Sequence, residues 1–152
     1  MLRGVAYGLH MTTIFCDAKA GVMVSDSMTS SGDQWWPDPH KVVRIGDELI
    51  GFAGSATEGE RWLAWYKAGQ NGPMPKVLGA TALMLGPAGL RVLDCNGGYI
   101  AIARGFMGIG SGGSAATGAF MAGADAETAA YIATQIDPNS GGDVIVHTLA
   151  VS

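Results

Sequence analysis

The order of strand-like and helical segments in this sequence predicts a layered α/β sandwich, with mainly antiparallel strands between helices. Three observations carry the prediction. Apolar, β-branched runs separated by turn signals dominate the first third of the chain; helical spacing appears near the middle and again near the C-terminus; and a strand-like run closes the sequence. The 152 residues, 48% of them hydrophobic and 14% charged, suit a single domain with one buried core.

The first predicted elements are four strands. Residues 12–19 are rich in β-branched and aromatic side chains, and they pair with residues 21–27 in a predicted hairpin of buried strands. Residues 28–39 contain Ser, Gly, Asp and two prolines, so we expect a loop there. Two more strands are expected at residues 41–45 and 48–54, joined by a tight turn.

The spacing of apolar residues changes to a helical period in two places. The spacing of apolar residues predicts the first helix at residues 56–69. Glu58 and Glu60 favour the first turn of this helix because their negative charges complement the helix dipole. Residues 111–135 are rich in alanine and predict two helices, with Asp125 as the N-cap of the second.

Four short strands are expected in the second half of the chain. Three of them separate the first helix from the alanine-rich region, and the fourth follows that region with alternating apolar residues. They comprise residues 78–85, 90–93, 99–103 and 143–151.

The charge pattern argues against a nucleic-acid partner. The net charge is −4, and the nine Lys and Arg residues are scattered, with no basic stripe that could follow a phosphate backbone. No apolar run reaches the roughly 18 residues that a membrane span requires, so no membrane partner is expected. Cys16 and Cys95 lie in strand-like apolar runs and are expected to be buried free thiols, which favours a reduced, cytoplasmic setting.

Nucleotide and metal sites are not expected either. GIGSGG at residues 108–113 matches G-x-G-x-x-G, but the next acids, Asp125 and Glu127, fall at a helix start and not at the strand end that dinucleotide binding needs. The three histidines lack metal-ligand spacing. We therefore expect no cofactor and no metal.

Three residues are candidates for chemistry, although each alone has a plain structural explanation. Asp26 ends an apolar strand and Lys41 begins one, and either by itself is typical of a solvated strand end. Gly54, in GFAGS, by itself suggests a tight turn. Their order along the chain is more informative than any one of them.

Five segments, taken in order, resemble a known family: MTTIFCDAKAGVMVSDS, PHKVVRI, LIGFAGSATEGERW, IGSGG and DPNSGGDVIVHTL. The family is that of the proteasome β-type N-terminal-nucleophile hydrolases, which includes the HslV-type peptidase subunit and shorter relatives from phages and prophages. The resemblance covers nearly all of residues 12–149. It implies a four-layer αββα sandwich of two mainly antiparallel sheets flanked by helices. One helical layer is expected to be shortened, because the interval from Gly54 to Ser111 is short by the length of a helix.

The resemblance implies that Thr12 is the nucleophile. Its hydroxyl would attack the scissile carbonyl, and its free α-amine, with a reference pKa of about 7.7–8.0, would act as base directly or through a water. Asp26 would hold the ammonium of Lys41 close to the Thr12 hydroxyl, where a positive charge favours the ionised form of that hydroxyl.

The resemblance also assigns supporting roles to five residues. The backbone N–H of Gly54 would face the developing oxyanion, and loss of one such donor costs about 3–4 kcal/mol of transition-state stabilisation. Ser111, Asp137 and Ser140 would position the amine and its water by hydrogen bonds. Phe52 would line the specificity pocket, although an apolar strand residue is more often plain core.

Residues 1–11 are expected to be a leader or an upstream-start extension ahead of a single domain at residues 12–152. Self-processing relatives usually carry Gly before the threonine, where this chain has Met11, so a translation start at Met11 followed by methionine removal is the favoured route to a free Thr12. An amide nitrogen is no base, so the chain should be inert while the leader is attached. The leader is expected to cover the approach to Thr12.

The resemblance implies a threonine endopeptidase acting on peptide or unfolded protein. It also implies a homo-oligomeric ring, with an ATP-driven unfoldase as a further candidate partner. Two alternatives stay open: an amidohydrolase with a non-peptide substrate, because fold does not determine substrate, and a catalytically silent structural or assembly subunit. The combination of Thr12, Asp26, Lys41 and Gly54 favours an enzyme, whereas an attached leader favours a silent subunit.

Overall fold

The computed structural model describes residues 9–10, 12–31, 33–94 and 97–149. This part of the chain holds twelve strands and three helices. They are β1 (Leu9–His10), β2 (Ile14–Asp17), β3 (Val22–Ser25), β4 (Met28–Ser31), β5 (Gln34–Pro37), β6 (Val42–Ile45), β7 (Glu48–Ser55), α1 (Ala56–Lys67), β8 (Ala80–Gly86), β9 (Gly89–Leu93), β10 (Tyr99–Ala101), β11 (Phe106–Ile109), α2 (Gly113–Met121), α3 (Ala126–Ile136) and β12 (Ile145–Thr148).

The strands form three antiparallel sheets. The six-stranded sheet runs in the order β1-β7-β8-β9-β10, with β6 also paired to β7. The four-stranded sheet has the order β11-β2-β3-β12, so the predicted N-terminal hairpin β2–β3 forms its centre. A separate two-stranded sheet consists of β4 and β5.

Side-chain alternation along the central strands divides the apolar residues between two cores. In β2, Ile14 packs against the six-stranded sheet, while the next residue, Phe15, packs against the helices α2 and α3. In β3, Met23 likewise packs against the six-stranded sheet and Val24 packs against the helices. Successive residues of a strand point to opposite faces, so these strands, apolar on both faces, belong at the middle of a layered structure.

The two outer layers complete a four-layer αββα sandwich. Small side chains of α2 and α3, such as Ala116 and Ala129, pack closely on the four-stranded sheet. The six-stranded sheet is covered by α1, whose Trp62 is fully buried and stacks on Tyr66 with 4.7 Å between ring centroids. The predicted fold class is confirmed.

The layer over the six-stranded sheet is the shorter of the two, as predicted. It contains α1 alone, and the chain from residue 68 to residue 79 continues without a helix or strand. Met74 and Val77 from that segment pack against the same core as Trp62. An irregular segment thus covers the part of the sheet that α1 does not reach.

The helix ends follow the rules for capping. The Ser55 hydroxyl accepts from the backbone N–H of Glu58 at 3.3 Å and so caps α1. Asp125 caps α3 as predicted, accepting from the Thr128 N–H at 2.8 Å. These hydrogen bonds lower the pKa of the Asp125 carboxyl.

Two of the secondary-structure predictions were wrong. Residues 28–39 were expected to form a loop, but they contain the β4–β5 hairpin, with Thr29 opposite Trp36 and Ser30 opposite Trp35. Ser, Thr and Pro weaken the strand signal there, yet Pro37 ends an edge strand, where a missing N–H is tolerated. The strand β11 was also not predicted, because only two apolar residues, Phe106 and Met107, precede the glycine-rich run. It pairs with β2 in a register that begins with Phe106 opposite Asp17.

One of the two cysteines, Cys16, lies in the described part of the chain. Cys16 is a buried free thiol, as predicted, and burial together with the nearby charge of Asp17 raises its pKa to about 12. Such a thiol is inert as a nucleophile at neutral pH. Cys95 lies outside the described residues. None of the helices in the described ranges is both long and apolar enough to cross a membrane.

Candidate active site

Three strand ends meet at Thr12. Thr12 lies two residues before β2, Asp26 directly follows β3, and Lys41 directly precedes β6. The antiparallel register of β2 and β3 continues beyond the strands, because the Asp26 N–H donates to the Thr13 carbonyl at 3.1 Å. The hairpin therefore determines that Asp26 lies beside the residues at the start of β2.

The side chains of Thr12, Asp26 and Lys41 form a closed hydrogen-bonded group. The Thr12 hydroxyl donates to Asp26 Oδ1 at 2.7 Å, and Lys41 Nζ donates to Thr12 Oγ1 at 2.5 Å. Lys41 and Asp26 also form a direct ion pair at 2.8 Å, the pairing that the sequence predicted. Lys41 donates its third hydrogen bond to the Met28 carbonyl.

The carboxylate of Asp26 is buried and fully hydrogen-bonded. Its Oδ1 accepts from Thr12 and Lys41 and also from the Thr13 N–H at 3.1 Å, while Oδ2 accepts from the Gly141 N–H at 3.0 Å. Four donors satisfy both oxygens of an ionised carboxylate, which only accepts. Asp26 therefore provides a fixed negative charge inside the protein.

Lys41 is also almost entirely buried. Burial lowers the pKa of its ammonium below the ordinary lysine value, and the negative charge of Asp26 opposes that shift. A cation that touches the Thr12 hydroxyl favours the ionised form of that hydroxyl, which is the nucleophilic form.

A second network holds the neighbouring threonine. The hydroxyl of Thr13 shares a hydrogen bond with the hydroxyl of Ser140 at 2.8 Å, and Ser140 donates to Asp137 Oδ2 at 2.6 Å. Ser111 donates to the same carboxylate oxygen at 2.5 Å. Its hydroxyl also lies 3.5 Å from the Thr12 carbonyl oxygen. The structure thus brings Ser111, Asp137 and Ser140 together, directly behind Thr12.

The charge of Asp137 is stabilised by these contacts. Burial alone would raise the pKa of its carboxyl, but hydrogen bonds from Ser111, Ser140 and the Asn139 N–H, with the positive charge of Lys41, together hold that pKa below the ordinary value. Asp137 is therefore ionised at neutral pH.

Glycines in the loop before α2 allow that loop to touch both threonines. Gly110 has φ +87, and a Cβ there would overlap the Thr12 carbonyl and lie 2.8 Å from Thr12 Cγ2. A Cβ at Gly112 would overlap the Thr13 hydroxyl, and the Gly112 N–H donates to the Thr12 carbonyl at 3.1 Å. A nucleotide site at this GIGSGG run was not expected from the sequence, and a supporting role was assigned there only to Ser111. The close contacts of Gly110 and Gly112 with the two threonines were not predicted.

Gly54 has a conformation that suits glycine alone. It has φ +107, and a Cβ there would overlap the Gly79 carbonyl and lie 2.7 Å from Ala80 Cα. The Phe52 N–H donates to the Lys41 carbonyl at 3.3 Å, on the edge of β7 away from β8, and N–H groups two residues apart in a strand point the same way. The N–H of Gly54 consequently points away from β8, toward the edge of β7 on which Lys41 lies.

A pocket of about 110 Å³ opens between Thr12 and Gly54. Its lining includes Lys41, Phe52, Gly59 and Leu63, and Phe52 has one side against Gly59 and Trp62. Phe52 thus lines this pocket and also packs in the core, and its role in specificity stays a prediction.

Two of the residues that precede Thr12 are described, and they lie beside Gly54. Leu9 and His10 form β1, which pairs antiparallel with the end of β7, Leu9 opposite Ser55 and His10 opposite Gly54. Residues 1–8 and Met11 lie outside the described residues. An extended chain thus lies along the strand edge toward which the Gly54 N–H points.

Several contributors to this site were not predicted. Thr13 was not singled out in the sequence, although its N–H and hydroxyl link the two networks. The Met28 and Gly141 contacts involve backbone groups, which carry no residue-type signal. Among the described residues, no group of three or more His, Cys, Asp or Glu side chains could hold a metal ion.

No protein-family model matches the sequence, and no curated protein matches it. The crystal structure of eukaryotic HslV from Trypanosoma brucei superposes with a TM-score of 0.70 at 26% identity, covering 90% of this chain and 98% of that chain. The chain has an HslV-like, proteasome β-type fold.

Two structures of BPH from Thiobacillus denitrificans have the same fold. One, in complex with Epoxomicin, has a TM-score of 0.68 at 21% identity and covers 92% of this chain and 100% of that chain. The other has a TM-score of 0.67 at 20% identity, with coverage of 93% and 100%. Coverage is nearly complete in both directions, so the HslV-like fold accounts for the whole domain. It is the fold of a threonine-type peptidase.

Proposed function

We propose that this chain is a threonine endopeptidase, in which Thr12, as the first residue after removal of residues 1–11, is the nucleophile. The observation that carries the proposal is the contact of the Thr12 hydroxyl with both a buried ammonium and a buried carboxylate. A threonine that only stabilised the fold would not need a buried ion pair on its hydroxyl, since such a pair is costly to desolvate. The HslV-like fold is consistent with this chemistry.

In the proposed reaction the Thr12 hydroxyl attacks the scissile carbonyl. The hydroxyl proton passes to the free α-amine of Thr12, directly or through a water, and the amine returns a proton to the leaving group as the C–N bond breaks. The ester left on Thr12 Oγ1 is then hydrolysed by a water, which releases the carboxylic acid and restores the hydroxyl. Lys41 stabilises the alkoxide as it forms, and Asp26 keeps the ammonium in place. The Gly54 N–H donates to the oxyanion, and the adjacent pocket with Phe52 takes the side chain on the acyl side of the bond.

Ser111, Asp137 and Ser140 are proposed to position the start of β2. They hold Thr13 and the carbonyl of Thr12 from behind, so the amine and hydroxyl of Thr12 face the pocket. This role is indirect, and removing any one of the three should weaken catalysis less than removing Lys41.

We further propose that residues 1–11 keep the chain inactive. While they are attached, the Thr12 nitrogen is an amide and is no base. The pairing of His10 opposite Gly54 supports a second effect, since an extended chain there occupies the strand edge that an oxyanion would need. Assembly into a homo-oligomeric ring is part of the same proposal, with peptide or unfolded protein as substrate and an ATP-driven unfoldase as a further candidate partner. Light scattering that gives only monomer at micromolar concentrations would argue against the ring.

The experiment compares two versions of the chain, one beginning at Met1 and one at Met11, by N-terminal sequencing and peptide hydrolysis. We expect activity only where Thr12 is the first residue, and none when that form carries Thr12→Ala. Equal activity in both versions, with residues 1–11 still attached in the first, would exclude the amine as base. A processed form that hydrolyses no peptide would favour the two alternatives, a silent assembly subunit or an amidohydrolase with a non-peptide substrate.

A further inference from the structure

The β4–β5 hairpin has two faces, and both lie near Thr12. Directly opposed residues of an antiparallel pair share a face, so Thr29 lies with Trp36 on one side and Ser30 lies with Trp35 on the other. Thr29 lines the Phe52 pocket. The opposite face contributes Met28, Ser30 and Trp35 to a separate groove.

This groove is formed by the hairpin and by the loop that follows α3. It has a volume of about 250 Å³, and its lining includes Trp35 from the hairpin and Pro138 and Asn139 from the loop. Trp35 is 67% exposed, which is unusual for a tryptophan in a single domain. Its indole and the Pro138 ring give the groove two apolar sides.

The inner end of the groove lies close to the proposed reaction centre. Met28, which lines it, accepts through its backbone carbonyl from Lys41 Nζ, and the same Nζ lies 2.5 Å from Thr12 Oγ1. On the other wall, Asn139 lies between Asp137 and Ser140, the residues that hold Thr13. Both walls therefore end at groups that touch Thr12 or Thr13.

Strand β4 separates the groove from the Phe52 pocket, because its successive residues point alternately into one and the other. A peptide cleaved at Thr12 has an acyl part and a leaving-group part that must extend in different directions from the attacked carbonyl. The Phe52 pocket lies beside Gly54, where the oxyanion forms in the proposed reaction, so the acyl side chain belongs there. The groove lies on the other side of β4, where the Met28 carbonyl accepts from the same Lys41 ammonium that touches Thr12.

We infer that the groove between Trp35 and Pro138 binds the leaving-group side of the substrate, and that Trp35 selects an aromatic side chain directly after the scissile bond. This inference rests on the proposed peptidase function. Stacking of an aromatic ring against an indole adds binding energy beyond that of burying the ring, whereas a glycine at that position has no ring to stack and adds none. Trp35 thus acts as a specificity residue and takes no part in the chemical steps.

The test uses the processed form, with Thr12 first, and two peptides that share their acyl part and differ only in Phe or Gly directly after the scissile bond. We expect kcat/KM for the Phe peptide to exceed that for the Gly peptide by about five- to tenfold. Trp35→Ala should reduce this ratio to near one while both peptides are still cleaved. Trp36→Ala is the matched control, since it removes an exposed tryptophan from the other face of the same strand, and the ratio should stay as in the parent.

A second measurement does not depend on hydrolysis. A short peptide amide with a free N-terminal Phe, added to the processed form, should shift the NMR signal of the Trp35 indole N–H and leave that of Trp36 in place. An unchanged kcat/KM ratio in Trp35→Ala, or an unmoved Trp35 signal, overturns the groove assignment and leaves the peptidase proposal standing. Cleavage of neither peptide by the parent, together with a shifted Trp35 signal, overturns the peptidase proposal and leaves a peptide-binding groove.

Discussion

Two adjacent threonines, Thr12 and Thr13, have the same side chain and almost the same burial, yet they lie in different surroundings. The Thr12 hydroxyl touches the ammonium of Lys41 and the carboxylate of Asp26. The Thr13 hydroxyl has a neutral hydrogen-bond partner, the hydroxyl of Ser140. Successive residues at the start of a strand point in opposite directions, so neighbours in sequence meet different parts of the protein.

The difference separates a group that can react from one that supports it. A cation on a hydroxyl oxygen favours the alkoxide, whereas a neutral hydroxyl partner exchanges one hydrogen bond for another. Thr13 also lends its N–H to Asp26, so it stabilises the charge that keeps Lys41 beside Thr12. The comparison predicts that substitutions around Thr12 abolish activity, whereas substitutions around Thr13 weaken it only in part.

Replacement of each of the two threonines by alanine gives the largest expected difference in activity. In the processed form, Thr12→Ala should lower kcat by about 10³-fold or more, because the nucleophile is gone, while Thr12→Ser should keep part of the activity. Thr13→Ala leaves the Thr12 hydroxyl and its ion pair intact, so kcat should fall by only about tenfold or less. Peptide hydrolysis with both variants at equal concentration decides the matter, and a larger loss from Thr13→Ala than from Thr12→Ala would reverse the assignment.

The ion pair beside Thr12 should be the next most sensitive feature. Lys41→Ala leaves Asp26 buried without its cation, so we expect loss of hydrolysis together with about 3–5 kcal/mol of stability, measured by urea unfolding. The combination of Lys41→Met with Asp26→Asn removes both charges and should recover part of that stability while remaining inactive. Recovery of activity in this combination would show that the charges are not needed.

A second ion pair serves as the control for that effect. Arg91 and Glu48 lie 2.9 Å apart and are partly exposed. In Arg91→Ala, Glu48 keeps its hydrogen bond from Tyr66, so the loss should be about 1 kcal/mol or less. A similar loss from Arg91→Ala and Lys41→Ala would mean that burial is not what makes the pair at Thr12 important.

The same contrast explains how much of the site could be predicted. Asp26 and Lys41 are charged residues at the ends of apolar strands, and their order along the chain matched a known pattern. The close approach of the loop before α2 to Thr12 and Thr13 depends on glycines 110 and 112, whose small size matters only after that loop has folded back on β2. The Met28 carbonyl that holds Lys41 belongs to a hairpin that was predicted to be a loop.

The fold was more predictable than these contacts because it follows from periodicity summed over whole segments. Strands β2 and β3 are apolar on both faces and α3 has a clear cap, so the layers could be ordered from sequence. In the β4–β5 hairpin, β5 is exposed along its length and the buried residue of β4 is the polar Thr29, so the hairpin gives no apolar periodic signal. It is also the element whose two faces border the candidate site.

A smaller effect is expected from the hydroxyl that links Thr13 to Asp137. Ser140→Ala leaves the buried Thr13 hydroxyl without its hydrogen-bond partner, which should lower the free energy of unfolding by about 1–3 kcal/mol. Ser111→Ala is the matched change on the exposed side of the same carboxylate, where water can replace the missing hydrogen bond, and it should cost less. Thermal unfolding of both variants provides the comparison, and equal losses would indicate that Thr13 is not held through Ser140.

The smallest effect concerns the pH dependence of the same network. The pKa of Asp137 is lowered in the folded protein, so its charge adds stability at pH values above the ordinary aspartate pKa of about 3.9, and this contribution is lost as pH falls through the lower, folded value. Asp137→Asn removes the charge at every pH. The stability difference between the parent and this variant should therefore be largest near neutral pH and should shrink progressively below about pH 4. Urea unfolding at a series of pH values measures it, with Asp47→Asn, at the turn between β6 and β7, as a control carboxylate far from Thr13 along the chain. If the stability difference between the parent and Asp137→Asn instead grew on acidification, the folded protein would favour the neutral form of Asp137. The carboxyl would then hold Thr13 through Ser140 in its uncharged form, contrary to the role proposed here.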